Sequence, residues 1–168
     1  SALDRRSGRQ TAAEVMRAAV LVPNLTRHGG KSSQSDGPQR SLEARLEEAC
    51  GLAMAIDLEI VHRETFNISS PRPSTLIGSG IAASVGKIVE EKEIGLVIVD
   101  QSLTPVQQRN LERAWNAKVI DRTGLILEIF GRRAKTKEGV LQVELAHLTY
   151  QKGRLVRSWT HLERQRGG

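Results

Sequence analysis

Apolar residues along this chain fall into short, nearly continuous runs that alternate with stretches of helical spacing. Ala18, Ala19, Val20, Leu21 and Val22 follow one another without a polar break inside the segment Val15 to Val22, as in a strand covered on both faces. Residues 23–40 then turn to Gly, Ser, Pro and charge, which predicts a long inserted loop. Ser41 can cap a helix from Leu42 to about Ala53. Leu42, Leu46, Ala49, Cys50 and Ala53 share one face of it. Ala55 to Val61 reads as a second strand, and Arg63 to Ser74, with Pro71 and Pro73, as a loop. A helix follows Gly80, with Ile81, Val85, Ile88 and Val89 as its apolar stripe and Glu90 to Glu93 at its end. Leu96 to Val99 is the clearest buried strand. Thr104-Pro-Val-Gln107 has the form of a capping box with proline at the first helical position, opening a helix to about Trp115. Lys118 to Asp121 reads as a fourth strand and Thr123 to Gly131 as a short apolar helix.

Strand and helix therefore alternate from residue 15 to 138. That order predicts an α/β domain with a small, open, parallel four-stranded sheet flanked by helices. Residues 1–14 carry no pattern and are expected to form a disordered or tag-like N-terminus. Residues 139–168 differ in kind. Leu141, Leu145, Leu148, Leu155, Trp159 and Leu162 are spaced as an a/d seam with Lys152 at the skipped position, and Gly153 weakens the helix locally. A helix over 139–166 is about 42 Å long, too long for its seam to be buried on so small a sheet. The spacing predicts the first half of a helical hairpin that needs a partner helix. A second chain paired through Leu141 to Leu162, or a fold back onto the sheet, would also cover it. The chain begins with Ser1 and closes on Gly167-Gly168, and we expect it to be a segment of something longer.

Charge changes this picture. The chain of 168 residues has a net charge of +6 and a pI near 10.0. Residues 1–31 hold six basic and two acidic side chains, residues 32–131 ten and fourteen, and residues 132–168 nine and three. The segment charges are thus +4, −4 and +6, so the basicity sits at the two ends. Such a distribution suggests a polyanion partner. Arg132, Arg133, Lys135 and Lys137 form a basic loop before the long helix, and Arg154, Arg157, Arg164 and Arg166 extend it. These residues are expected to contact RNA phosphates. Aromatic residues are only 3%, which counts against modules that read RNA by stacking many bases. The single cysteine, Cys50, excludes an internal disulfide, lies on a core face, and fits a reducing, cytoplasmic compartment. No apolar run is long enough to span a membrane, and the first residues lack the core of a signal peptide.

Catalytic chemistry is hard to find. Gly30-Lys31-Ser32 resembles the end of a phosphate-binding loop, but Leu25 stands where its first glycine belongs, and Gly86-Lys87 is preceded by Ile81 and followed by Ile88. His28, His62, His147 and His161 show no metal-ligand spacing. Gly78-Ser79-Gly80 precedes a helix and could offer free N–H groups to an anion, or simply form a tight turn. Asp100 and Asp121 end successive strands, where open α/β sheets bind ligands and where aspartate also caps helices. A small nucleotide-binding crevice at Gly78, Gly80, Asp100 and Asp121 stays open as an alternative to RNA binding. So does a protein-interaction module that uses the helix seam.

Several runs resemble the HflX family of ribosome-associated GTPases. They are Asp100-Gln-Ser-Leu-Thr-Pro-Val-Gln-Gln-Arg-Asn-Leu-Glu112, Val119-Ile-Asp-Arg-Thr-Gly-Leu-Ile-Leu-Glu-Ile-Phe130, Arg133-Ala-Lys-Thr-Lys-Glu-Gly139, Leu141-Gln-Val-Glu-Leu-Ala146 and Arg154-Leu155. Thr75-Leu-Ile-Gly-Ser-Gly80 resembles the family's glycine turn, with Ile81 in place of the usual lysine. The resemblance covers about residues 16–168, and the insertion at 24–40 is longer than in the family. It implies the N-terminal α/β domain and the first hairpin helix of a GTP-binding protein that associates with the large ribosomal subunit and its rRNA and splits ribosomes. It also implies that GTP and Mg²⁺ belong to a GTPase domain absent from this chain. The fragment itself would then need no cofactor and carry no chemistry.

Overall fold

The computed structural model describes residues 15–26 and 38–152. Four parallel strands form one sheet in the order β2-β1-β3-β4. The elements are β1 (Arg17–Leu25), α1 (Pro38–Met54), β2 (Glu59–Ile68), α2 (Ser79–Glu91), β3 (Leu96–Val99), α3 (Pro105–Trp115), β4 (Lys118–Asp121), α4 (Arg122–Arg133) and α5 (Lys137–Lys152). Strand order reverses between β1 and β3, so the sheet is doubly wound.

Alternation along the strands divides the core in two. Ala18, Val20 and Val22 of β1, Leu96 and Ile98 of β3 and Ile120 of β4 face α1 and α4, where they meet Ala49, Cys50, Ala53, Leu125 and Ile129. Ala19 and Leu21, Val97 and Val99, and Val119 face α2 and α3, against Val85, Val89, Leu111 and Trp115. With a helix layer on each face, β1 from Ala18 to Val22 and β3 throughout must be apolar, hence their uninterrupted runs. Cys50 is a buried core residue on α1.

Three element boundaries differ from the sequence reading. Strand β1 runs on through Leu25, and α1 already begins at Pro38, so Ser41 lies inside the helix rather than at its cap. The strand expected over Ala55 to Val61 is displaced: β2 begins at Glu59 and continues to Ile68, through residues read as loop. Ile56 is buried, but within the turn that ends α1, where Asp57 adopts a positive φ of 59°. β2 is the sheet edge, paired with β1 alone. Half its surface meets solvent, so Arg63, Glu64, Thr65 and Asn67 are tolerated in it. Pairing skips Val61, whose carbonyl accepts from Lys92 Nζ at 2.9 Å. A lysine on an edge carbonyl also discourages stray strand pairing.

The remaining elements follow the sequence closely. Thr104 Oγ1 accepts from Gln107 N–H at 3.1 Å and Thr104 N–H donates to Gln107 Oε1 at 2.9 Å, completing the capping box. Helix α3 stops at Trp115 because Asn116 takes a left-handed φ of 48°.

Helix α5 forms, and the seam expected to need a partner helix lies exposed within this chain. Leu141, Leu145 and Leu148 are 65%, 65% and 63% exposed. The seam does not fold back on the sheet. Instead the neighbouring face, with Val143, His147 and Tyr150, lies on α4. Gly124 of α4 makes room for it: a Cβ there would stand 3.0 Å from Tyr150 Oη, whereas one on Gly131 would meet Val143 Cγ1 at an ordinary contact distance of 3.5 Å. Leu155, Trp159 and Leu162, like residues 1–14, lie outside the described residues.

Candidate functional site

The C-terminal ends of β3 and β4 carry two buried carboxylates, Asp100 and Asp121, 5% and 1% exposed. Each follows directly from local sequence. An apolar strand carries the chain out of the core, and the carboxylate at its end meets the groups gathered there, arginine side chains at Asp100 and backbone N–H groups at Asp121.

Asp100 is held between two arginines. Arg122 Nε donates to Oδ1 at 3.0 Å, and Arg45 of α1 donates to the Asp100 carbonyl at 3.0 Å and lies 3.5 Å from Oδ2. Asp100 thereby fastens α1 and the start of α4 to the tip of β3. Asp121 is both the last residue of β4 and the N-cap of α4. Its Oδ1 accepts from Gly124 N–H at 3.0 Å and from the Tyr150 hydroxyl at 2.8 Å, and its Oδ2 accepts from Leu103 N–H at 3.1 Å. One side chain therefore joins the β3–α3 loop, the α4 terminus and α5. Buried Gln108 adds to the same node: its Nε2 donates to the Val119 carbonyl at 2.6 Å, and Tyr150 approaches its Oε1 at 3.4 Å.

Gly78 and Gly80 open α2, on the opposite face of the sheet from α4. No described hydrogen bond joins them to Asp100 or Asp121. Gly78 is extended (φ −68°, ψ 161°), and a Cβ on either glycine would meet nothing within 4 Å. Neither a left-handed turn nor tight packing calls for glycine here. Thus the crevice residues share one end of the sheet but not one geometry, and both carboxylates are occupied by the protein's own donors. Among the described residues no group of three or more His, Cys, Asp or Glu side chains could hold a metal. None of the described helices is long and apolar enough to cross a membrane.

The residues read as a basic loop are mostly helical, because α4 and α5 nearly meet: Arg132 and Arg133 close α4, Lys137 opens α5, and only Lys135 lies in the connection. Arg132 Nη1 donates to Asp57 at 3.0 Å, tying α4 to the α1–β2 turn. Arg133, Lys135 and Lys137 are exposed. Arg154, Arg157, Arg164 and Arg166 lie outside the described residues. Beneath the loop, His147 of α5 and Glu128 of α4 are buried together with Nε2 and Oε1 3.7 Å apart.

Sequence reasoning missed Arg45, Gln108, Arg122, Tyr150 and the His147–Glu128 pair. A signal existed for two of them. Gln108 lies one helical turn from buried Leu111, and His147 one turn from half-buried Val143.

Two family profiles match the chain in succession from residue 43 onward. One, described as GTP-binding GTPase N-terminal, covers residues 43–131. The other, GTP-binding GTPase Middle Region, covers residues 133–168. The boundary between them falls at Arg132, in the last turn of α4. The GTPase HflX of Magnetococcus marinus is 54% identical over 149 residues, spanning 89% of this chain and 32% of that protein. The GTPase HflX of Escherichia coli is 46% identical over 123 residues, spanning 73% of this chain and 29% of that protein. The chain thus spans about a third of the length of the curated relatives it matches. A GTP-binding protein from the archaeon Sulfolobus solfataricus, solved with GDP, superposes with a TM-score of 0.59. It is 24% identical, over 81% of this chain and 37% of that one. At that identity the likeness concerns the fold.

Proposed function

Since this chain belongs to the HflX family of GTPases, as its N-terminal region, we propose that it is the part of a cytoplasmic GTP-binding protein that grips the large ribosomal subunit through rRNA phosphates. The observation that carries this reading is the contrast between two sets of charges. The conspicuous carboxylates of the α/β domain, Asp100 and Asp121, are engaged internally. The conspicuous cations, Arg133, Lys135 and Lys137, are exposed at the entry to the arm, and residues 132–168 sum to +6. A backbone-directed contact of this kind needs cations on a rigid lever, and α5 supplies the lever. Exposed Leu141, Leu145 and Leu148 would meet the second helix of the hairpin, contributed by the parent protein. Ribosome splitting would follow from wedging this arm into the subunit while the GTPase domain of the parent sets the timing.

The residues described here do not fit GTP. Gly86 and Lys87 lie in the middle of α2, not in a phosphate-cradling loop. We assign GTP and Mg²⁺ to the rest of the parent protein and derive no step through them. The competing reading, a nucleotide crevice at Gly78, Gly80, Asp100 and Asp121, has less support, because a ligand would have to displace Arg45, Arg122 or Tyr150 from the carboxylates. Calorimetric titration of ATP into this chain should accordingly show no micromolar binding. A micromolar site lost in Asp100→Ala would reverse the preference.

The test of the main reading is salt. The intact protein should bind isolated large subunits with an affinity that falls linearly on a log–log plot against salt concentration, by about 0.7–0.9 per phosphate contact. Binding that ignores salt between low and physiological concentration would remove the reading.

A further inference from the structure

Helix α4 presents a stripe to solvent that the other described residues leave largely open. Arg122, Ile126, Phe130 and Arg133 recur at i, i+4, i+8 and i+11, one face of a helix over about 16 Å. Ile126 is 39% and Phe130 55% exposed, and the Arg122 side chain is 51% exposed although its Nε holds Asp100. Phe130 is the exposed aromatic among the described residues. Trp115 is buried, and Phe66 and Tyr150 are half-buried. The charge on this face has one sign. Glu128, the acid of α4, points inward and is 7% exposed. The stripe also leads straight into Lys135 and Lys137.

An apolar ring flanked by guanidinium groups, with no carboxylate from its own helix, fits one occupant best. We propose that an unpaired base of RNA stacks on Phe130 while Arg122 and Arg133 meet the phosphates on either side. The proposal rests on the reading that this region binds RNA and adds the substrate class, unpaired nucleotides rather than duplex. Stacking needs only a π-face, so a single aromatic can prefer unpaired RNA without reading its sequence. A protein partner for the same stripe would be expected to supply carboxylates for the arginines. The uniform positive charge favours RNA over the remainder of the parent chain as occupant.

The experiment compares the intact protein with its Phe130→Ala and Phe130→Trp variants, on a 12-nucleotide oligouridylate and on a duplex RNA of the same length. Phe130→Ala should weaken binding to the oligouridylate about tenfold and leave duplex binding within twofold. Phe130→Trp should keep the affinity, and its added emission should be quenched by the oligouridylate. Equal affinities of wild type and Phe130→Ala for the oligouridylate would overturn the proposal. So would an equal loss on both RNAs. A Phe130→Ala variant that binds RNA normally but melts earlier in the intact protein would assign the stripe to an intramolecular contact instead. If wild type binds large subunits with the expected salt dependence in any of these cases, the stripe alone has failed. If that binding is absent, the underlying reading has failed.

Discussion

Asp121→Ala is expected to lower the unfolding midpoint of this chain by about 10 °C. The carboxylate is 1% exposed and accepts from Leu103 N–H, Gly124 N–H and the Tyr150 hydroxyl. Alanine removes all of these at once and leaves buried donors without acceptors, at about 1–3 kcal/mol for each group that water cannot reach. One of those bonds is the N-cap of α4, whose loss alone costs about 1 kcal/mol. The sum, about 3–4 kcal/mol, corresponds to roughly 10 °C for a domain of this size. Tyr150→Phe is the calibrating variant, because it removes one bond of the set and should cost about 1 kcal/mol. Circular dichroism melts of the three proteins give the comparison. A drop of less than 3 °C for Asp121→Ala would show that the node is not what holds α3, α4 and α5 to the sheet. The same node sets the direction of the arm, so Asp121 is as much a positioning residue as a stabilising one.

The parts of this fold that were legible in the sequence are those where a single force dominates. β1 and β3 sit between two helix layers, so every position from Ala18 to Val22 and from Leu96 to Val99 had to be apolar. The capping box at Thr104 is a local bond pattern and needs no tertiary context. Where two forces compete, the reading failed. Ile56 and Leu58 are apolar because they pack into the core just after α1, and Arg63, Glu64, Thr65 and Asn67 are polar because they lie on an edge strand, so the strand appeared one segment too early. On α5 the leucines gave the stronger periodic signal, but the face that docks on α4 is the one whose partners are glycines. Spacing within α5 cannot reveal that Gly124 leaves room for Tyr150 on another helix. The site shows the same division. Asp100 and Asp121 were found from their place at strand ends, but not what holds them, since Arg45 lies 55 residues from Asp100 and Tyr150 lies 29 from Asp121.

Arg132 illustrates why this matters for the RNA reading. In sequence it is one of four equivalent cations between α4 and α5. In the structure it is paired with Asp57, so its charge is partly spent within the domain. The informative variant therefore leaves Arg132 alone and combines Arg133→Ala, Lys135→Ala and Lys137→Ala. All of these side chains are exposed, so the fold should be unaffected within about 0.5 kcal/mol. If each cation meets one rRNA phosphate, removing three should make the log–log salt slope shallower by about 2–3. Near 0.1 M salt the same contacts account for roughly a hundredfold in affinity for the large subunit. Arg132→Ala on its own should cost far less binding, and instead loosen the tie between α4 and the α1–β2 turn by about 0.2–1 kcal/mol. The two variants thus separate a cation used for RNA from one used for the fold. A triple variant that lowers affinity without changing the salt slope would mean that these side chains act by shaping the α4–α5 turn rather than by meeting phosphates.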